Sequence, residues 1–334
     1  MKVIYVSNVR DALPSVVGFV LRTGKLSPTR AGRAYVIPYP VTIVYSNPKH
    51  HVLLNPVRDA NPFFHLMEAM WMLAGRNDGK FLNHYIKGFS EKYGVDGIIP
   101  DAYGQRWRHG LGYDQLAEII SQLKTNPNSR QAVLQMWGAG KDDLRQLTPK
   151  PCNLVASFHI HNGVLDMTVF NRSNDLIFGC LGANAVHFAI LQEYIASMIG
   201  VKIGTYYQIT TNLHLYEDHL IELNERIDKE TSLTVSLQEQ QLEYGKAIPL
   251  MENPEFFNED LFETMFWIDG VHRNEEAYSG NIASPFLGDI VLPMAIAHQH
   301  FKNKRYTEAM ESMDDVIESD WKQAGTEWLQ RRIK

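Results

Sequence analysis

Ala185–Ile199 is apolar on nearly every face: Val186, Phe188, Ala189, Ile190, Leu191, Tyr194, Ile195, Met198 and Ile199 leave no polar stripe. A helix of that kind is buried on most faces. The chain can provide the cover, since it has 334 residues of which 45% are hydrophobic, enough for a sizeable core. Segments of different period surround the helix. Val155–Ile160 and Val164–Phe170 read as a hairpin closed by His161-Asn-Gly163, and Gln131–Trp137 and Ile203–Thr211 read as further strands. Strands and helices mix without strict alternation, so the expected class is α+β: a mixed sheet packed with helices.

The remaining segments fill in around this frame. Residues 1–21 read as a strand and the start of a helix, Leu26–Arg33 as a polar loop, and Ala34–Tyr45, with two prolines, as an edge strand or two short strands. His51–Leu54 reads as a short strand. Asn61-Pro62 opens a helix that Gly75 ends. Lys80–Gly97 reads as mixed and mostly helical, Asp101–Arg108 as a loop into a helix, Asp114–Leu123 as an amphipathic helix, and Leu213–Arg226 as a helix. From Glu259 the pattern is helical to the amphipathic tail Tyr306–Arg332. The expected organisation is a catalytic domain over 1–224 with a mostly helical extension over 225–334.

Composition removes several functions. A net charge of −6 gives no basic field to recruit nucleic acid. Two cysteines, Cys152 and Cys180, make neither a metal motif nor a disulfide framework. The N-terminus lacks the charged and apolar regions of a signal peptide, and no uncharged run approaches membrane-spanning length. The expected location is the cytoplasm.

Chemistry concentrates in Pro151–Tyr216. Cys152 follows Pro151 beside a strand, where a thiol can be exposed and fixed; a lone cysteine is more often a small buried residue. Arg172-Ser173 ends the hairpin and offers a planar donor fork and a hydroxyl suited to phosphate, or is a surface pair. Asn184 heads the apolar helix, either as its cap or with an amide that matches the N3–H and O4 edge of uracil. His214 and Tyr216 bring two hydrogen-bonding side chains to nearby faces, and Glu68 sits close to an apolar stripe, as a marginal surface acid or a buried one with a shifted pKa.

Taken together these residues resemble the thymidylate synthase and pyrimidine-nucleotide hydroxymethylase superfamily. The matching pieces are Glu68-x-x-Trp71-x-x-x-Gly75, Tyr103-Gly-x-x-Trp107-Arg, Asp114-Gln-Leu, Ser129-Arg130, Pro151-Cys152, Arg172-Ser-x-Asp175-x-x-x-Gly179, Asn184 and His214-x-Tyr216, in order over about residues 20–220. The resemblance implies the superfamily's fold and a homodimer with shared active sites. It implies one-carbon transfer from 5,10-methylenetetrahydrofolate to C5 of a pyrimidine deoxynucleotide. By the same resemblance Cys152 is the nucleophile at C6, with Glu68 and Tyr103 handling protons. Arg172, Ser173, Arg130 from the second subunit, and Arg30 or Arg33 hold phosphate. His214 and Tyr216 hold the sugar, Asn184 reads the base, and Asp175, Gly179 and Phe89 lie on the folate side.

The departures bear on the product. Asn153 replaces the usual histidine after the cysteine, Gln131 replaces a second arginine, and Phe89 or Ser90 stands where a tryptophan is usual. Cys180-Leu-Gly-Ala183 is one residue longer than usual, and the short closing C-terminus is not recognisable. Hydride transfer to a methyl product needs water excluded, whereas altered walls favour attack by water and a hydroxymethyl product. Asn184 favours dUMP over dCMP. The expectation is therefore 5-hydroxymethyl-dUMP, with thymidylate synthesis, dCMP or CMP hydroxymethylation, and a non-enzymatic nucleotide-binding relative as alternatives.

Overall fold

The apolar run does form a helix, Asn184–Ile199, with every residue buried except Ser197 and Ile199. The preceding stretch makes Leu176–Ile199 long and apolar enough to cross a membrane, contrary to expectation, but most of it is buried inside the protein. It is a core helix. The computed structural model describes residues 1–138, 140–145, 149–275 and 282–333. Contacts divide the chain into a first unit of Met1–Ala60, Leu116–Asp142 and Pro151–Glu243, and a second of Asn61–Gln115, Asp143–Lys150 and Tyr244–Lys334. Residues 225–243 fall in the first unit, and residues 61–115 group with the C-terminal helices.

Among its described residues the first unit holds ten strands: β1 (Lys2–Val6), β2 (Lys25–Thr29), β3 (Gly32–Val36), β4 (Val41–Tyr45), β5 (Val133–Gln135), β6 (Asn153–His161), β7 (Val164–Asn171), β8 (Asn174–Asp175), β9 (Lys202–Thr210) and β10 (Leu213–Tyr216). Six form a mixed sheet in the order β1-β4-β9-β7-β6-β5, and four a smaller sheet in the order β2-β3-β10-β8. The β6–β7 turn is built as the sequence indicates: Asn162 and Gly163 both have positive φ, 51° and 74°, which a tight hairpin requires. Leu165, Met167 and Val169 alternate inward along β7 and are fully buried. The helix Asn184–Ile199 packs on β7 and β9. Each such side chain contributes about 1.5–3 kcal/mol by leaving water. Gln192, buried on that helix, donates to the carbonyls of Leu165 (2.8 Å) and Thr205 (3.3 Å), where the β7–β9 register shifts.

Three local readings fail here. Leu26–Arg33 is not a loop but most of the β2–β3 hairpin, with Pro28 opposite Arg33; proline is tolerated because β2 is an outer strand. Ala34–Tyr45 does resolve into two short strands, the end of β3 and then β4, and β4 lies not at an edge but between β1 and β9, buried throughout. Leu213–Arg226 begins as strand β10 before the helix Glu217–Asn224, because Leu213 and Leu215 alternate inward with period two. His51–Leu54 is buried but forms no strand.

In the second unit, Asn61 caps the helix Pro62–Leu73 by accepting from Phe64 N at 3.1 Å, with Pro62 in the first turn. This helix packs against the C-terminal helices Phe257–His272, Leu292–Lys302 and Asp320–Gln330. Phe63 meets Trp328 edge-on at 5.5 Å and His298 at 5.2 Å. Lys80–Gly97 resolves into two short helices, Gly79–Leu82 and Phe89–Tyr93. The helix Tyr103–Arg108 lies directly on Pro62–Leu73, because a Cβ on Gly104 would collide with the backbone of Met72. Gly104→Ala is therefore expected to lose about 3 kcal/mol, measured by urea unfolding; a change below about 0.5 kcal/mol would mean the two helices are free to part.

Candidate active site

Cys152 is half-buried immediately before β6. Arg172, exposed at the end of β7, reaches back across the hairpin: its backbone N donates to Cys152 O (2.9 Å), its Nε to Pro151 O (2.9 Å), and its Nη2 lies 3.9 Å from Cys152 Sγ. Its guanidinium also sits over the Trp137 ring, 5.9 Å from the centroid. The two strands thus fix a guanidinium beside the sulfur. Ser173 is half-buried next to it. Arg130 is exposed just ahead of β5.

Behind the cysteine runs a buried file of amides. Asn171 Nδ2 donates to Asn153 Oδ1, Asn153 Nδ2 to Asn184 Oδ1 (3.0 Å), Asn184 Nδ2 to Asn174 Oδ1 (2.9 Å), and Asn174 Nδ2 to Thr210 Oγ1 (3.4 Å). Asn184 is not the helix cap expected of it. Ala183 takes that position, and Asn184 is the first helical residue. The extra residue before it is absorbed as a wide π-type segment over Leu176–Ala183, in which Asn184 N bonds Gly179 O; Leu181 and Gly182 leave helical geometry. Asn184 is then held by its neighbours on both sides. Sequence reading missed Asn153, Asn171, Asn174 and Thr210 as parts of the site. The signal available was the asparagine where a histidine is usual.

The small sheet carries the other groups. His214 and Tyr216 lie two residues apart on β10, so both side chains share one face, with rings 4.9 Å apart and nearly perpendicular. Both partners of His214 Nδ1 are oxygens of Asn212, at 3.2 Å. With two oxygens facing it, Nδ1 is the donor in this arrangement. His214 pairs in register with Asp175 of β8. Asp175 accepts from Ile177 N and Phe178 N (both 3.2 Å), a structural capping role, and lies 3.4 Å from His219 Nδ1. Arg33 contacts Glu217 at 3.7 Å, and Arg30 is exposed in the β2–β3 turn. A Cβ on Gly179 would meet Asn174 Oδ1 at 2.5 Å, so only bare backbone lets the Asn174 amide sit beside Asn184. Next to it Phe178 is 50% exposed, its ring 5.0 Å from the Arg58 guanidinium. An exposed aromatic beside bare backbone suits a flat heteroaromatic ring such as the pterin of a folate.

Glu68 and Tyr103 lie in the second unit, on the two helices that Gly104 joins. Glu68 is half-buried overall, but its Oε2 is sealed from solvent, and burial pushes its carboxyl up to about 8. Tyr103 is the first residue of its helix and half-buried. Other residues of the same motifs fasten this unit: Trp107 is 1% exposed, and Arg108 donates to Leu73 O (3.0 Å) and pairs with Asp114 (2.9 Å). Phe89 lies between Phe64 and Tyr93, tilted by 46° and 50° to their rings.

Residues 14–251 match the thymidylate synthase family. The chain belongs to that family. Two phage proteins named deoxyuridylate hydroxymethyltransferase are similar along most of their length: that of Pseudomonas phage M6 is 41% identical over 99% of this chain and 95% of its own, and that of Bacillus phage SP01 is 33% identical over 82% and 77%. The thymidylate synthase of Ascaris suum is 29% identical over 49% of this chain and 63% of its own. Within the family, then, the likeness to the Pseudomonas phage M6 protein takes in the C-terminal helices, while the likeness to that synthase spans about half the chain.

Proposed function

We propose that this member of the thymidylate synthase family converts dUMP to 5-hydroxymethyl-dUMP, with 5,10-methylenetetrahydrofolate as one-carbon donor. The observation that carries the reading is the similarity, over 99% of the chain, to a phage deoxyuridylate hydroxymethyltransferase. The site chemistry agrees with it. Arg172 and Ser173, Arg130 from the second subunit, and Arg30 or Arg33 of the β2–β3 hairpin take the phosphate. His214 and Tyr216 take the sugar, and Asn184 takes the uracil edge. Cys152 Sγ adds to C6, and the electron pair of the C5–C6 double bond moves onto C5 and O4. Glu68, which holds its proton near neutral pH, and Tyr103 serve the proton steps.

The folate, when bound, supplies the one-carbon unit for C5; Asp175, Gly179, Phe178 and Phe89 are assigned to its side. C5 then gives up its proton, and the nucleotide carries an exocyclic methylene at that carbon. Water adds its oxygen to that carbon, the C5–C6 double bond re-forms, and Cys152 leaves as the thiolate.

The enzyme works as a cytoplasmic homodimer. Both cysteines are thiols, which suits a reducing compartment. The sheet face away from the core helix supports dimerisation. There Val155, Phe170 and Ile209 align across β6, β7 and β9, as do Ser157, Thr168 and Tyr207, and all six are only half-buried.

Mass analysis of the product tests the reaction. With the folate and an equimolar mixture of dUMP, dCMP and CMP, dUMP is expected to gain CH2O, with tetrahydrofolate released. A gain of CH2 with dihydrofolate formed would make it a thymidylate synthase, and modification of dCMP or CMP would move the substrate.

A further inference from the structure

The amide file has a direction. From Asn171 through Asn153, Asn184 and Asn174 to Thr210, every link runs from an Nδ2 donor to an Oδ1 or hydroxyl acceptor. The four asparagines are at most 7% exposed, so solvent does not readily replace a lost partner. Asn184 presents its Oδ1 to Asn153 and its Nδ2 to Asn174. An amide oxygen accepts two hydrogen bonds and an amide nitrogen donates two. Each atom of Asn184 therefore keeps one valence beyond its link in the file.

Uracil and cytosine need opposite orientations of that amide. Uracil offers N3–H as donor and O4 as acceptor, whereas cytosine offers N3 as acceptor and its amino group as donor. Turning Asn184 over to suit cytosine would set its Oδ1 against Asn174 Oδ1 and its Nδ2 against Asn153 Nδ2. Two acceptors would then face one another, and two donors likewise. Relief requires Asn153, Asn171 and Asn174 to turn as well. We infer that Asn153, the residue after the nucleophile, is a specificity-determining positioning residue that locks the Asn184 amide in the orientation that reads uracil and rejects cytosine. Asn153 touches Asn184 and acts on the base through it. Gly179 belongs to the same device, because a side chain there would displace Asn174 Oδ1. The inference rests on Asn184 reading the base of dUMP as proposed above.

The test is equilibrium binding of dUMP and of dCMP, each without folate, to the full chain and to Asn153→Leu, which fills similar volume but neither donates nor accepts. The unaltered chain is expected to prefer dUMP. Asn153→Leu is expected to narrow the dUMP-to-dCMP affinity ratio by about tenfold, as one of the two links that hold the Asn184 amide is removed. Asn153→Ala serves where the leucine variant does not fold, with the same expectation, since the alanine side chain likewise neither donates nor accepts. A residue of merely structural value would weaken both nucleotides in parallel. A folded variant whose ratio stays within about twofold of the parent overturns the inference and leaves the proposed reaction standing. An unaltered chain that binds dCMP as well as dUMP overturns the uracil reading itself, and the inference with it.

Discussion

Cys152→Ala is expected to lower turnover of dUMP by on the order of 10⁴-fold or more, while dUMP affinity stays within about threefold of the parent. The alanine removes the sulfur that adds to C6 and nothing that holds the nucleotide. Arg172 keeps its position, because its bonds to Pro151 O and Cys152 O go to backbone atoms that alanine retains. Release of tritium from C5-labelled dUMP, together with calorimetric binding, separates the two effects. Turnover within tenfold of the parent would remove covalent addition from the mechanism. Loss of nucleotide affinity would mean that the thiol is a binding group.

Glu68→Gln is expected to cost activity and raise stability at the alkaline end. The Glu68 carboxyl has a pKa near 8 in the folded protein against 4.5 for an ordinary glutamate, because burial disfavours the anion. The folded state thus retains a proton that the unfolded chain releases. This contribution is fully present below pH 4.5 and is lost as pH rises through 8, by at most about 1.4 kcal/mol per pH unit. Glutamine has nearly the same shape and no titration. Between pH 5 and 8 the variant should lose less unfolding free energy than the parent, and at pH 8 it should be the more stable of the two. Its kcat should fall about 10²- to 10⁴-fold if Glu68 serves the proton steps. Equal pH slopes in urea unfolding would refute the buried acid. A more stable variant with undiminished kcat would show a buried acid without a catalytic role.

How far the sequence could be read differs from one residue to the next, for reasons that are local. The β6–β7 hairpin was legible because turn chemistry and period-two alternation agree within a dozen residues. The helix Pro62–Leu73 was legible because Asn61-Pro62 is a start signal that needs no tertiary help. β10 was misread as helix although Leu213-His-Leu-Tyr216 alternates, because a true helix follows without a break. β2 was hidden by Pro28 and by its exposure, which leaves no apolar pattern. Asn184 was picked out as the base-reading residue, but not its partners. Asn153, Asn171 and Asn174 each look like ordinary strand-end or turn asparagines in isolation.

The order and spacing of Cys152, Arg172, Asn184 and His214-x-Tyr216 lie in the sequence itself, because each is a chemically distinct side chain at a set step along the chain. That order was enough to identify the family. The tertiary structure alone decided which way the Asn184 amide points and that Glu68 keeps its proton near neutral pH. Both depend on desolvation and on partners brought in from distant parts of the chain. A hydrogen bond between Asn153 and Asn184 spans 31 residues of sequence, and no local pattern records it.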